Sequence, residues 1–174
     1  MPRRGTYVAS MSIRDINEIF EIRTALESLS NGLAAERITA EELESLQRLL
    51  VQIGGYVEDG DMDNIVKTDI EFHDLLYHAA RNSRLVGIIS NLRDQLTRFR
   101  TLSMSYPGRL ETTLEEHREI VEAISEGDVK RAKKAAERHM EMSEKTLLKA
   151  VDAKKKDSEK KVGKKARKAS KSEE

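Results

Sequence analysis

Four residues of this sequence have the types and spacing to hold a metal ion. Asp69 and His73 stand four positions apart, and His117 and His139 supply two further imidazoles. A carboxylate oxygen with imidazole nitrogens suits a divalent transition metal, with zinc, nickel and manganese foremost and iron or cobalt also accommodated. Four protein ligands on a six-coordinate ion would leave up to two positions open, and an open position is a place for a ligand to bind. The chain has no cysteine, which excludes a thiolate metal site, a disulfide framework and a cysteine nucleophile.

These side chains can meet only if helices aim them inward. At about 100° per residue, Asp69 and His73 fall within the arc of Ile65, Phe72, Leu76 and Ala80. His117 continues the stripe Leu110, Leu114, Ile120 and Ile124, and His139 continues Ala132, Ala136 and Met142. Any one such histidine is most simply a hydrogen-bonded core residue. Four buried polar groups kept apart would each be costly, whereas four converging on one cation satisfy one another. Asp69 and His73, as i and i+4 neighbours roughly 6 Å apart at Cβ, can chelate one ion. His117 lies about 12 Å before the end of its helix and His139 about 15 Å after the start of the next, so in an antiparallel hairpin they sit nearly level. His78 lies about 180° from Asp69, on the outer face, and is assigned no role.

Three further residues are candidates for holding a ligand beside the metal. Arg23 lies inside the apolar stripe of its helix between Phe20 and Leu26, where a guanidinium needs an anion. Glu27, one turn on, could supply it, or a ligand carboxylate could. Gln95 and Arg100 sit at the two edges of another apolar face and could line a pocket, although an edge arginine is commonly just solvated.

The elements behind these residues are helical throughout. At 174 residues the chain makes one domain with tails, and with 38% apolar residues but no tryptophan its core must be built from Leu, Ile, Val, Ala and Met. Nine glycines and two prolines are too few for the tight turns of a sandwich or barrel. A first helix carries Ile13, Ile16, Phe20, Leu26, Leu29 and Leu33. Thr39 with Glu42 forms a capping box for a second, expected to stop at Gly54-Gly55. Asp61 or Asp63 caps a third, Asn82-Ser83 opens a fourth carrying Leu85, Ile88, Ile89, Leu92, Leu96 and Phe99, and Pro107-Gly108 separates it from a fifth. Gly127-Asp128 is a stop followed by the cap of a sixth. The expected fold is an all-α antiparallel bundle of about six helices over residues 12–152, with the metal site in its core.

From Ala153 to Glu174 ten Lys or Arg face four acids, a net +6 that leaves −6 on the rest of a neutral chain. With Val162 as its one large apolar residue, this stretch is expected to be a disordered basic tail, solubilising or weakly attracted to anionic surfaces. No apolar run approaches the roughly 18 residues of a membrane span and no signal-peptide core is evident, so a soluble cytoplasmic protein without membrane association is expected.

The runs DIEFHDLLYHAARNSRL, LTRFRTLSMSYPGRLETTLEEHREIVEAISEGDVKRAKKAAERHM and EIRTALESLSNGLAAERIT resemble the C-terminal effector-binding (FCD) domain of the FadR subfamily of GntR transcriptional regulators, over about Ser12 to Ala150. An Asp, a His four residues later and two further His on the last two helices are the pattern of that family's metal-containing branch. Carried over, the resemblance implies Asp69, His73, His117 and His139 as ligands, a small organic acid effector such as a sugar acid or hydroxycarboxylate, and a homodimer. Residues Arg4 to Ala9, RGTYVA, are similar to the end of the wing of the family's winged-helix domain, so residues 1–11 read as a remnant of wing and linker. DNA would then be contacted only through the missing winged-helix domain.

The function expected is therefore a ligand-sensing and dimerisation module rather than an enzyme. An all-helical metalloenzyme is the alternative, but Glu71 points about 160° away from Asp69, and Glu115 and Glu116 flank His117 off the core stripe, so no inward general base is in place. A bundle in which the metal is only a structural staple is the third reading.

Overall fold

A computed structural model describes residues 12–170. Six helices follow one another with short connections: α1 (Ile13–Arg37), α2 (Ala40–Asp59), α3 (Met62–Ala79), α4 (Ser83–Met104), α5 (Arg109–Ser125) and α6 (Val129–Ser170). The described residues contain no strand, and the fold is the expected all-α bundle. The wing-like segment 1–11 lies outside the described residues.

Local chemistry starts each helix. Ser12 and Asp15 form a capping box at α1, as Thr39 and Glu42 do at α2. Asp61 caps α3 through the backbone N–H of Asn64, and Asn82 caps α4 through that of Leu85. The Gly54-Gly55 pair does not end α2, which continues to Gly60, the residue whose φ of 69° closes the helix in the left-handed region. Two interior glycines cost about 1 kcal/mol each relative to alanine. Burial of Leu46 and Ile53, with Val57 packed on the same core, outweighs that cost.

Two of the three apolar clusters among the described residues frame the polar residues of interest. One joins Ala34 and Ala35 of α1, Leu46 and Ile53 of α2, Phe72 and Leu76 of α3, and the α5 row Leu114, Ile120 and Ile124. The other joins Ile16, Ile19 and Phe20 of α1 to Leu96 of α4 and Met140 and Leu147 of α6. The polar residues of interest lie where the two clusters meet. Phe72 of the first stacks on His117 at 4.3 Å between ring centroids, and Met140 of the second adjoins His139 in the chain.

Three expectations about apolar stripes are corrected. Ile13, Leu29 and Ile88 are 55%, 41% and 52% exposed. After Ile16, Ile19 and Phe20 the buried side of α1 continues with Arg23, Glu27, Ser28, Ser30, Asn31 and small residues, because α1 runs against α6 too closely for a row of leucines. At Gly32 a Cβ would come within 2.5 Å of Cε of Lys133.

The expected disordered tail is also corrected, since α6 runs unbroken through Ser170. Ala150 is the last buried residue among the described side chains and Val151 still packs on the second cluster, while Lys154 to Lys156 are exposed. The expectation weighed only burial. Once a long helix is nucleated by packing, further residues such as Lys, Ala, Glu and Arg extend it at little cost, helped here by the Asp152–Lys156 pair at 2.7 Å.

Candidate metal and effector site

Helices α3, α5 and α6 bring Asp69, His73, His117 and His139 together. Oδ1 of Asp69 lies 3.8 Å from Nε2 of His73 and 3.7 Å from Nε2 of His117. The three histidines each present one nitrogen, all within 4.8 Å of one another. All four residues are buried, His117 completely. His78 faces solvent, its Nδ1 beside the carbonyl of Asp74 at 2.6 Å.

Burial governs the electrostatics of the quartet. Burial pushes the imidazoles of His73 and His117 well below their ordinary range, and the neighbouring histidines and arginines push the same way. Burial also raises the carboxyl of Asp69, against the pull of Arg100, His139 and Arg109. Neutral imidazoles are what a metal requires. Both nitrogens of His117, and Nδ1 of His73, find no hydrogen-bond partner among the described residues. An imidazole fully enclosed with neither nitrogen bonded is costly, about 1–3 kcal/mol per orphaned group. A cation on Nε2 would relieve the cost at that atom, so the residues present fit a metal.

Around the quartet runs a supporting layer that the sequence pattern had hidden. Glu116 is buried: its Oε2 accepts from Nδ1 of His139 at 2.7 Å, and its Oε1 accepts from Nη1 of Arg109 at 2.9 Å. The expectation that Glu116 lies off the core is thus corrected. Burial raises its carboxyl, but the bonds from His139 and Arg109 outweigh that and hold it below the usual range. The spacing Arg109, Thr113, Glu116, Ile120 would have found it, had the buried row been traced by position rather than by apolarity.

Beside the quartet a cleft encloses about 590 Å³, its mouth included, with Asp69, His73 and His139 in its wall. Arg23 and Arg100 line it, as do Arg93 and Arg109, which sequence reasoning had not singled out. Arg100 donates to Oδ2 of Asp69, the oxygen turned away from the histidines. Arg23 pairs with Glu27 at 2.8 Å, and Oε1 of Glu27 also accepts from the Tyr77 hydroxyl at 2.7 Å. Gln95 does not line the cleft. It is exposed and donates to Asn91 at 3.2 Å, because the α4 face turned inward is that of Leu96 and Arg100, and the residue before Leu96 falls on the other side.

Comparison with known proteins matches residues 18–142 to the FCD domain. The chain is 31% identical over 139 residues to the uncharacterized HTH-type transcriptional regulator YdhC of Bacillus subtilis, covering 79% of this chain and 60% of that protein's length. It therefore spans less than two thirds of that relative. Among solved structures it is similar to McbR/YncC of E. coli, with a TM-score of 0.75 and 24% identity over 80% of this chain and 71% of that one. It is also similar to the metal-free FCD domain of TM0439, with a TM-score of 0.66 and 21% identity over 83% of this chain and 99% of that one. These two likenesses confirm the fold. The curated relatives are HTH-type transcriptional regulators, not enzymes. No helix among the described residues is long and apolar enough to cross a membrane. The chain belongs to the FCD domain family, whose members are found in transcriptional regulators of the GntR type.

Proposed function

We propose that this chain is the ligand-sensing and dimerisation domain of a GntR/FadR-type regulator, in which a divalent metal on Asp69, His73, His117 and His139 presents open positions to a small carboxylate effector. The observation that carries the reading is His117, fully buried with neither nitrogen bonded among the described residues and Nε2 3.7 Å from a carboxylate oxygen. Zinc, nickel and manganese all suit this donor set. The effector would bind in the adjoining cleft, between the metal and the guanidinium groups of Arg23 and Arg100. A hydroxyl next to its carboxylate would add a chelating oxygen, so 2-hydroxy acids and sugar acids should bind better than plain monoacids. In the full-length regulator, DNA affinity would change because the effector binds two conformations of the sensor unequally.

Dimerisation has a natural location. Ile22 and Leu29 lie seven residues apart on one side of α1, and Ile88 is on α4, which packs against α1. An exposed apolar face of this kind fits a second copy of the chain. The test combines elemental analysis of the purified protein with native mass spectrometry, which reads bound metal, co-purified acid and subunit number together. A monomer carrying no metal and gaining none from added zinc, nickel or manganese would overturn the reading.

A further inference from the structure

Four guanidinium groups line the cleft, and each is already matched by one carboxylate. Arg23 pairs with Glu27, Arg93 with Asp74, Arg100 with Asp69 and Arg109 with Glu116. Ligating histidines are neutral. The protein's own charge around the cleft is therefore balanced, four against four, before any metal is added. A divalent ion on the quartet brings two positive charges, and Asp69, the one carboxylate in the cleft wall, is already counted against Arg100. Unpaired charge in such a place is costly.

From this balance we infer that the effector is a dianion, a small dicarboxylate or hydroxydicarboxylate, with one carboxylate at the metal and the other at the guanidinium of Arg23. The inference rests on the metal and effector reading above and narrows it. Arg23 is singled out among the four by its bonding. Its side chain is only 8% exposed, Nη2 donates to Glu27, and Nε has no partner among the described residues. Arg109 is engaged at both terminal nitrogens by Glu116 and Ser143. Arg100 is bound to a metal ligand, and Arg93 leans on Asp74, which is half exposed. A half-bonded guanidinium in the wall of a cleft is completed by a carboxylate better than by any neutral group.

The charge can be tested apart from shape. Succinate and succinamate have nearly the same size and differ by one carboxylate replaced with an amide. In calorimetric titrations of the zinc-loaded full chain, succinate is expected to bind at least about tenfold more tightly than succinamate, and malate more tightly than 2-hydroxybutanoate. On chelator-treated protein the preference should shrink, because the cleft is then already neutral. The charge-conserving double substitution Arg23→Gln with Glu27→Gln should abolish the preference while bound zinc, read by elemental analysis, stays the same. Equal binding of succinate and succinamate to the zinc-loaded wild type would overturn the inference and leave the effector reading standing. A preference that survives the double substitution would overturn the place given to Arg23. If neither monoacids nor diacids bind, the effector reading falls and the inference with it.

Discussion

The imidazole of His139 is held by Glu116, whose Oε2 accepts from Nδ1 at 2.7 Å and leaves Nε2 as the nitrogen free to ligate. A carboxylate behind a ligating histidine fixes its tautomer and raises its basicity. Glu116 is itself held by Arg109, which in turn reaches Ser143 on α6 at 2.8 Å. The arrangement ties α5 to α6 directly behind His117 and His139. Glu116→Gln, which keeps the shape but weakens the acceptor, is expected to lower metal affinity about 10- to 100-fold. Competition against a chelating dye measures it. Unchanged affinity would mean that the bond serves only packing.

His117 gives a prediction whose sign changes with metal. In the metal-free protein its two unpartnered nitrogens are a liability beside the stacked ring of Phe72. His117→Leu removes them at similar volume, so metal-free protein should be no less stable than wild type, or more stable by about 1–3 kcal/mol. With metal present the same change would remove a ligand, and the stabilisation by metal expected of the wild type should largely vanish. His78→Ala, on the solvent side, should shift neither form by more than about 0.5 kcal/mol. Urea denaturation with and without chelator reads all three proteins.

Acidity should destabilise the metal-free fold through the same residues. His73 and His117 have folded pKa values well below the unfolded value near 6.5, chiefly because they are buried. Above about pH 6.5 neither state takes up these protons and there is no penalty. As pH falls further, the unfolded chain is protonated while the folded one is not, so stability drops by about 1.4 kcal/mol per pH unit for each histidine. Asp69 works in the opposite sense: its raised carboxyl contributes stability that is present at low pH and lost as pH rises through its folded pKa. The urea midpoint of chelator-treated protein is expected to fall steadily from about pH 6.5 to pH 5, with a shallower slope for His117→Leu. A midpoint independent of pH over that range would contradict buried neutral imidazoles.

How much of this could be read from the sequence depended on whether a residue's neighbours shared its chemistry. Asp69, His73, His117 and His139 interrupt apolar rows, so their helical phase was evident, and the structure brings them together. Capping residues such as Thr39 and Asp61 were evident because their bonds are local. The buried face of α1 was not, because it is polar and small where it meets α6, and its exposed Leu29 imitated a core position. Glu116 was missed for a related reason: beside His117 it looked like one of several surface acids, and only the tertiary contact to His139 distinguishes it. The long course of α6 escaped because composition reports what a segment can bury, and a helix propagating from a packed start need bury nothing.

That distinction makes α6 a testable boundary between fold and extension. Among the described side chains Ala150 is the last buried one, Val151 still touches the second cluster, and Asp152 to Lys156 are exposed. Deleting residues 153–174 should therefore leave the melting temperature nearly unchanged. Ending the chain after Thr146 removes Leu147, 3% exposed, from the second cluster together with the buried Ala150, and should cost several kcal/mol, since one lost leucine side chain in a core is worth about 2–5. The two truncations also separate charge from stability. The deleted stretch carries ten Lys or Arg against four acids, while the remainder of the chain is net negative. Any affinity of this chain for DNA should thus be weak, independent of sequence, steeply reduced between about 50 and 200 mM salt, and absent from the 1–152 protein. Fluorescence anisotropy with two unrelated duplexes decides it. A truncated protein that still binds one duplex in preference to the other would place a specific DNA contact within the bundle and overturn the assignment of all DNA affinity to the basic extension.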